Sequence, residues 1–139
     1  MKVFFDTNVY VAEAILGQAA ERMLEATQIA SWRIFSSSFV LDEVHRVLTI
    51  ELGFSRRFAS LTQTRIVRRA MLIEAGVVRH VVPDDPDDTP ILSAAVDAGV
   101  DYLVTNDAHL LVLNPYRGMR IISMSDYLHL LVQEGLLTQ

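Results

Sequence analysis

Residues 2–8 read Lys-Val-Phe-Phe-Asp-Thr-Asn. Val3, Phe4 and Phe5 form an apolar run without alternation, as expected for a short strand buried on both faces, and the polar Asp6-Thr7-Asn8 marks a turn. Asn8–Leu16 continues with helix-compatible spacing up to Gly17, so the chain opens as strand, turn, helix. Working outward, the same unit recurs. A second helix is expected from Gln18 to about Ile29, and Arg33–Ser36 reads as a strand. Ser38 is placed to cap a helix carrying Phe39, Val40, Val44, Val47, Leu48 and Leu52, which Gly53 ends. From Ser55 to Ala75 the apolar residues Phe58, Leu61, Ile66, Ala70 and Ile73 recur at helical intervals, with Arg57, Arg65, Arg68 and Arg69 on another face. Gly76 stops that helix, and the β-branched run Val77–Val82 is the expected third strand. The acidic turn Pro83–Asp88 leads into a helix over Thr89–Ala98, where Pro90 is tolerated in the first turn. Tyr102–Thr105 and Arg120–Ser123 are the remaining strands, separated by a short helix over Ala108–Leu113. Ser125–Glu134 is the last helix, capped by Ser125 and closed by Gly135.

Five strands with little polar alternation, each followed by helix, imply a three-layer α/β/α sandwich around a central five-stranded, mainly parallel sheet. No repeat or linker divides the 139 residues, so a single domain over 1–139 is expected. A hydrophobic share of 51% with 21% charge excludes a disordered or collagenous chain. The absence of cysteine excludes disulfides, thiolate zinc sites and a thiol nucleophile. The opening residues lack the pattern of a secretion signal, and the apolar runs fall short of the ~20 residues of a membrane helix, so a cytoplasmic location is expected. Net charge is −5, yet Arg46 to Arg79 holds seven of the twelve basic residues against Glu51 and Glu74, a net +5 that leaves −10 elsewhere. Such asymmetry suits a protein that holds a polyanion at one face and gathers carboxylates at another; a solvated helix surface explains the same arginines.

In open parallel sheets the ligand site lies beyond the carboxyl ends of the strands, and the residues there are acidic. Asp6 follows the first strand directly, and Asp107 follows Tyr102–Thr105 after Asn106. Helix capping accounts for either alone. Glu43 shares a helical face with Phe39, Val40, Val47 and Ile50 and is expected to point inward, whereas Asp42 falls with Ser38, His45, Arg46 and Thr49 toward water. An inward carboxylate needs a cation, an arginine or a raised pKa. Asp84-Asp85-Pro86-Asp87-Asp88 packs four acids into five residues; Asp88 aligns with Ile91, Leu92 and Ala95 and is expected to project into the site, with Asp87 second. Asp84 and Asp85 read as exposed turn residues. Asp6, Glu43, Asp88 and Asp107 thus come from four strand–helix units that can converge at one sheet edge. All-oxygen ligation favours Mg²⁺ or Mn²⁺ over zinc, and such ions suit phosphodiester hydrolysis.

At this point the chain resembles the PIN-domain ribonucleases over nearly its whole length, and most of all the VapC-like toxin components of toxin–antitoxin modules. The resemblance rests on Asp6-Thr7-Asn8, on Leu41-Asp42-Glu43-Val44, on Asp85-Pro86-Asp87-Asp88 followed by Ile91-Leu92-Ser93-Ala94-Ala95, and on Tyr102-Leu103-Val104-Thr105-Asn106-Asp107. It implies that Asp6, Glu43, Asp88 and Asp107 are the metal-binding catalytic acids, that Asn8 and Thr105 support them, and that Mg²⁺ or Mn²⁺ drives endonucleolytic cleavage of RNA. It also implies a homodimer with an antitoxin partner covering the acidic groove. Relatives of this branch often carry another acid two residues after the fourth; here that position is His109, which reads as either a phosphate contact or a surface residue. Arg57, Arg65, Arg68 and Arg69 are candidates for holding the RNA backbone or an acidic antitoxin segment. Two other readings stay open: an RNA-processing nuclease without an antitoxin, and a binding module that does not cut.

Overall fold

The computed structural model describes residues 1–74, 80–83 and 85–138. Among them are five strands: β1 (Lys2–Phe5), β2 (Arg33–Ser37), β3 (Ala70–Ile73), β4 (Tyr102–Val104) and β5 (Arg120–Ile122). They pair in the order β3-β2-β1-β4-β5, every neighbouring pair parallel. Register places Phe4 of β1 opposite Phe35 of β2 and Leu103 of β4. Successive strand residues face opposite sides of a sheet, yet Val3, Phe4 and Phe5 are all 0% exposed, so both faces of the central strand are covered.

Seven α-helices among the described residues supply that cover: α1 (Thr7–Leu16), α2 (Gln18–Ile29), α3 (Ser38–Arg46), α4 (Arg56–Arg69), α5 (Thr89–Ala98), α6 (Ala108–Leu111) and α7 (Met124–Gln133). Among the described residues no helix is long and apolar enough to cross a membrane. Gly17 separates α1 from α2 at φ +73°, a left-handed conformation that strains any side chain with a Cβ. The rings of Phe5 and Tyr127 meet edge to face at 5.6 Å, and Tyr127 shares a 2.7 Å hydroxyl hydrogen bond with Thr27, which ties α7 to α2 through the core. Caps fall one or two residues ahead of the sequence-based positions. Ser37, not Ser38, accepts from the Val40 N–H, and Ser123, not Ser125, accepts from the Asp126 N–H. Beyond Arg46, α3 widens into a π-helical turn over Val47–Glu51.

The third strand departs from expectation. Helix α4 ends at Arg69, and the following Ala70–Ile73 leaves the helix to pair with β2, Ile34 opposite Ala70 and Ser37 opposite Ile73. Of the expected strand Val77–Val82, and of the Gly76 stop before it, residues 76–79 lie outside the described residues; His80–Val82 are described and form no strand. Satisfying the backbone groups on the outer side of β2 outweighs the helix propensity of Ala-Met-Leu-Ile. As an edge strand β3 leaves Met71 and Leu72 exposed, so its burial carries little of the period-two signal that marks a strand in sequence.

Candidate metal and nuclease site

The strand that follows β1 in the chain lies on one side of it and β4 lies on the other, so the crevice at the carboxyl ends of β1 and β4 is the switch point of the sheet. Asp6 sits there, 3% exposed, its N–H donating to the Val104 carbonyl at 3.0 Å as a last rung of the β1–β4 ladder. Its Oδ1 accepts from the Thr7 N–H at 2.6 Å at the start of α1, and its Oδ2 accepts from Thr105 Oγ1 at 2.6 Å. The same Thr105 hydroxyl oxygen accepts from the Asp107 N–H at 3.0 Å, so one buried hydroxyl fixes the distance between the two acids. Asp107 in turn caps α6, accepting from the His109 N–H at 2.8 Å. Capping and convergence coincide at both acids. Burial raises the Asp6 carboxyl above its ordinary value; the Thr105 and Thr7 hydrogen bonds pull it back, and the charges of Asp107 and Glu43 push it up again.

Asp88 ends a single 3₁₀ turn, Pro86–Asp88, whose start is held by Asp85 Oδ1 accepting from the Asp87 N–H at 3.2 Å. Desolvation first, then the adjoining Asp107 carboxyl, and the charges of Asp6 and Asp85, push the Asp88 carboxyl up to about 8. Among the described residues its Oδ2 is buried without a hydrogen-bond partner.

Glu43 enters from α3 with its side chain 29% exposed, and it carries an arginine: Arg46 Nη2 lies 3.0 Å from Oε2. The inward face is therefore only partly so, since Ile50 on the same stripe is 77% exposed, while Asp42 faces water. Asp6, Glu43, Asp87, Asp88 and Asp107 line one cavity of about 170 Å³. Asn8 also lines it but is exposed, and among the described residues it makes no hydrogen bond to the acids. Thr7 Oγ1, in a residue only 6% exposed that lines the same cavity, has no hydrogen-bond partner among the described residues. Two orphaned oxygens, Thr7 Oγ1 and one of Asp88's own, in a cavity lined by the carboxylates of Asp6, Glu43, Glu51, Asp87, Asp88 and Asp107 match what a hard divalent cation and its water shell satisfy, and these donors are all oxygen.

Two residues stand beside this cluster, one of them the His109 noted in the sequence as a phosphate contact or a surface residue. Asp85, expected in an exposed turn, is half-buried, and its Oδ2 lies 3.5 Å from His109 Nδ1, which is 3.6 Å from Asp107 Oδ1. Asp85, Asp107 and His109 offer three ligand atoms all within 4.8 Å of one another. The signal available in sequence was the imidazole standing where relatives place an acid. Asp84 lies outside the described residues.

The basic face also differs from expectation. Arg69 is not free for RNA: Nη1 and Nη2 grip Glu13 of α1 at 2.6 and 2.5 Å, with Glu13 3% and Arg69 14% exposed, and Arg65 stands 3.6 Å from the same carboxylate. Burial would force Arg69 to shed charge, but the Glu13 hydrogen bonds and charge win and raise it. Arg57 and Arg68 remain exposed, Arg68 beside Leu41 and Val67 in a hollow between α3 and α4.

Comparison with known proteins gives a consistent fold. Residues 2–109 match the family model described as PIN domain. No curated protein matches the chain. The structure is similar to VapBC2 from Rickettsia felis, bound to a DNA fragment from its promoter, with TM-score 0.65, 16% identity, and coverage of 88% of this chain and 98% of that one. It is also similar to PAE2754 from Pyrobaculum aerophilum (TM-score 0.60, 18% identity, 96% and 99% covered). A third similar structure is VapC20 from Mycobacterium tuberculosis, a toxin that cleaves the sarcin–ricin loop (TM-score 0.56, 12% identity, 85% and 98% covered).

Proposed function

The chain belongs to the PIN-domain family, and from that membership we propose that it is a divalent-cation-dependent endoribonuclease, the toxin of a toxin–antitoxin pair. The observation that carries the reading is the convergence of Asp6, Glu43, Asp88 and Asp107 from four separate elements on one cavity with two unsatisfied oxygens. Family membership and the likeness to the Rickettsia and Mycobacterium toxins support it.

Asp6, Asp88 and Asp107 would hold Mg²⁺ or Mn²⁺, with Glu43 as a further ligand or as the base that orients the attacking water. When bound, the cation lowers the pKa of water and neutralises charge that builds on the phosphorane. Asp6 is kept ready for this by Thr105, whose hydroxyl favours the charged carboxylate and aims it. A bound cation would favour the charged form of Asp88, so that Asp88 and Asp107 would hold it together. Glu43, hydrogen-bonded through Arg46 at the rim, has access to both water and cavity. Attack by water leaves a 5′-phosphate and a 3′-hydroxyl, without a covalent enzyme intermediate. Asp85, Asp107 and His109 are where a second ion would be held.

Partner and assembly belong to the same reading: an antitoxin covering the acidic groove and a homodimer. The reading is tested by Asp6→Asn and Asp107→Asn, measured on labelled single-stranded and structured RNAs. Both variants should fold, bind RNA and fail to cut. Cleavage that survives in either variant at the wild-type rate would overturn the assignment.

A further inference from the structure

Arg46 lies one turn beyond Glu43 on α3 and folds back on it, Nη2 donating to Oε2 at 3.0 Å and Nε to Oε1 at 3.3 Å. One guanidinium thus engages both oxygens of the acid that stands at the mouth of the site. The pair is not a buried structural one, since Glu43 keeps 29% and Arg46 50% of side-chain exposure. Water screens such a contact, and exchanging partners costs little. Arg46 is also the sole basic side chain among the described residues lining the acidic cavity, and it borders the adjoining hollow formed with Phe39, Pro86 and Asp87. Glu51 Oε1 stands 3.9 Å from its Nη1, so other carboxylates flank it on the rim.

Two consequences follow from this placement. A divalent cation that draws on Glu43 must compete with a bidentate guanidinium for the same oxygens. A displaced Arg46 remains tethered at the cavity mouth, where its planar fork matches the geometry of a phosphate. We propose that Arg46 is an exchangeable counter-ion of the site, holding Glu43 before a cation arrives and passing to an RNA phosphate once the cation takes Glu43. It is a positioning residue, and the inference rests on the cation-dependent nuclease reading above.

The test is Mn²⁺ affinity, read from the electron paramagnetic resonance of free Mn²⁺, for wild type, Arg46→Gln, Glu43→Gln, the double variant, and, as a charge control, Arg56→Gln at the start of α4, which lines a neighbouring hollow but not the acidic cavity. Circular dichroism melting verifies the fold of each. Arg46→Gln should tighten Mn²⁺ by roughly three- to tenfold, the scale of a solvent-screened charge-assisted pair. The same substitution should change nothing in the Glu43→Gln background, and Arg56→Gln should leave the affinity unchanged. With Mn²⁺ present, Arg46→Gln should also weaken binding of a fluorescent phosphorothioate RNA by a similar factor, measured by anisotropy. Metal and RNA affinities moving in opposite directions are the signature, because a merely structural ion pair would not tighten the metal. Unchanged Mn²⁺ affinity in Arg46→Gln, equal tightening in the Glu43→Gln background or in Arg56→Gln, or undiminished RNA binding would overturn the inference. The nuclease reading then stands as long as Asp6→Asn abolishes Mn²⁺ uptake; a wild type that takes up no Mn²⁺ overturns both.

Discussion

At the scale of single residues the site depends on one hydroxyl. Thr105 holds Asp6 through Oδ2 and receives the Asp107 N–H, so Thr105→Val removes the donor that favours charged Asp6 and loosens both acids. Cleavage should fall by about tenfold, with the acidic limb of its pH profile moved upward, while the melting temperature changes little; an unshifted profile would remove Thr105 from the account. Asp88 gives a second expectation. Its folded carboxyl is pushed up to about 8 from an ordinary 3.8, so the folded chain binds a proton that the unfolded chain has released. Stability of the cation-free protein therefore falls as pH rises from 3.8 toward about 8. Asp88→Asn should flatten that fall and melt higher than wild type at alkaline pH, whereas a wild-type melting temperature independent of pH would contradict the crowding of charge described. The acids themselves were legible because each stands at a fixed offset from a strand end or on a helical stripe. The contact between Asp85 and His109 was not, because Asp85 reads as an exposed turn residue and meets His109 only where the turn before α5 folds against α6.

At the scale of elements, α1 and α4 are clamped by Glu13 and Arg69, a pair that sequence pattern did not reveal. Glu13 is the single acid of the apolar helix α1, and only the packing of α4 shows that its carboxylate is inside. Glu13→Gln leaves Arg69 charged and largely buried without its partner, and should cost about 3 kcal/mol in urea unfolding. Replacing both by leucine should recover most of the loss; a single Glu13→Gln that unfolds like wild type would mean the clamp contributes nothing. Most elements were readable from caps and periodicity, including α5 at its expected Thr89–Ala98 limits. The exception, β3, begins without glycine or proline after Arg69, in residues that favour helix by themselves, so no local signal marks where α4 stops. Its position is decided by the open edge of β2, which is a tertiary fact.

At the scale of the whole molecule, the sheet order turns a string of isolated acids into one site. Asp6 and Asp107 become neighbours because β1 and β4 pair although nearly a hundred residues separate them, and β2 carries α3 with Glu43 to the same edge. The net charge of −5 is likewise uneven in space: carboxylates crowd one cavity, while Arg57 and Arg68 stay exposed on α4. A cluster of this kind is at rest only with protons shared or with cations bound. The most direct measurement is cleavage of a mixed RNA panel by protein stripped of metal with chelator, before and after Mg²⁺ or Mn²⁺ is returned, with analysis of the product ends. The expected result is no cutting in chelator, restored cutting on addition of either ion, and products ending in 5′-phosphate and 3′-hydroxyl. Cutting that persists in chelator, or products ending in a 2′,3′-cyclic phosphate, would contradict a carboxylate-held cation as the agent of hydrolysis.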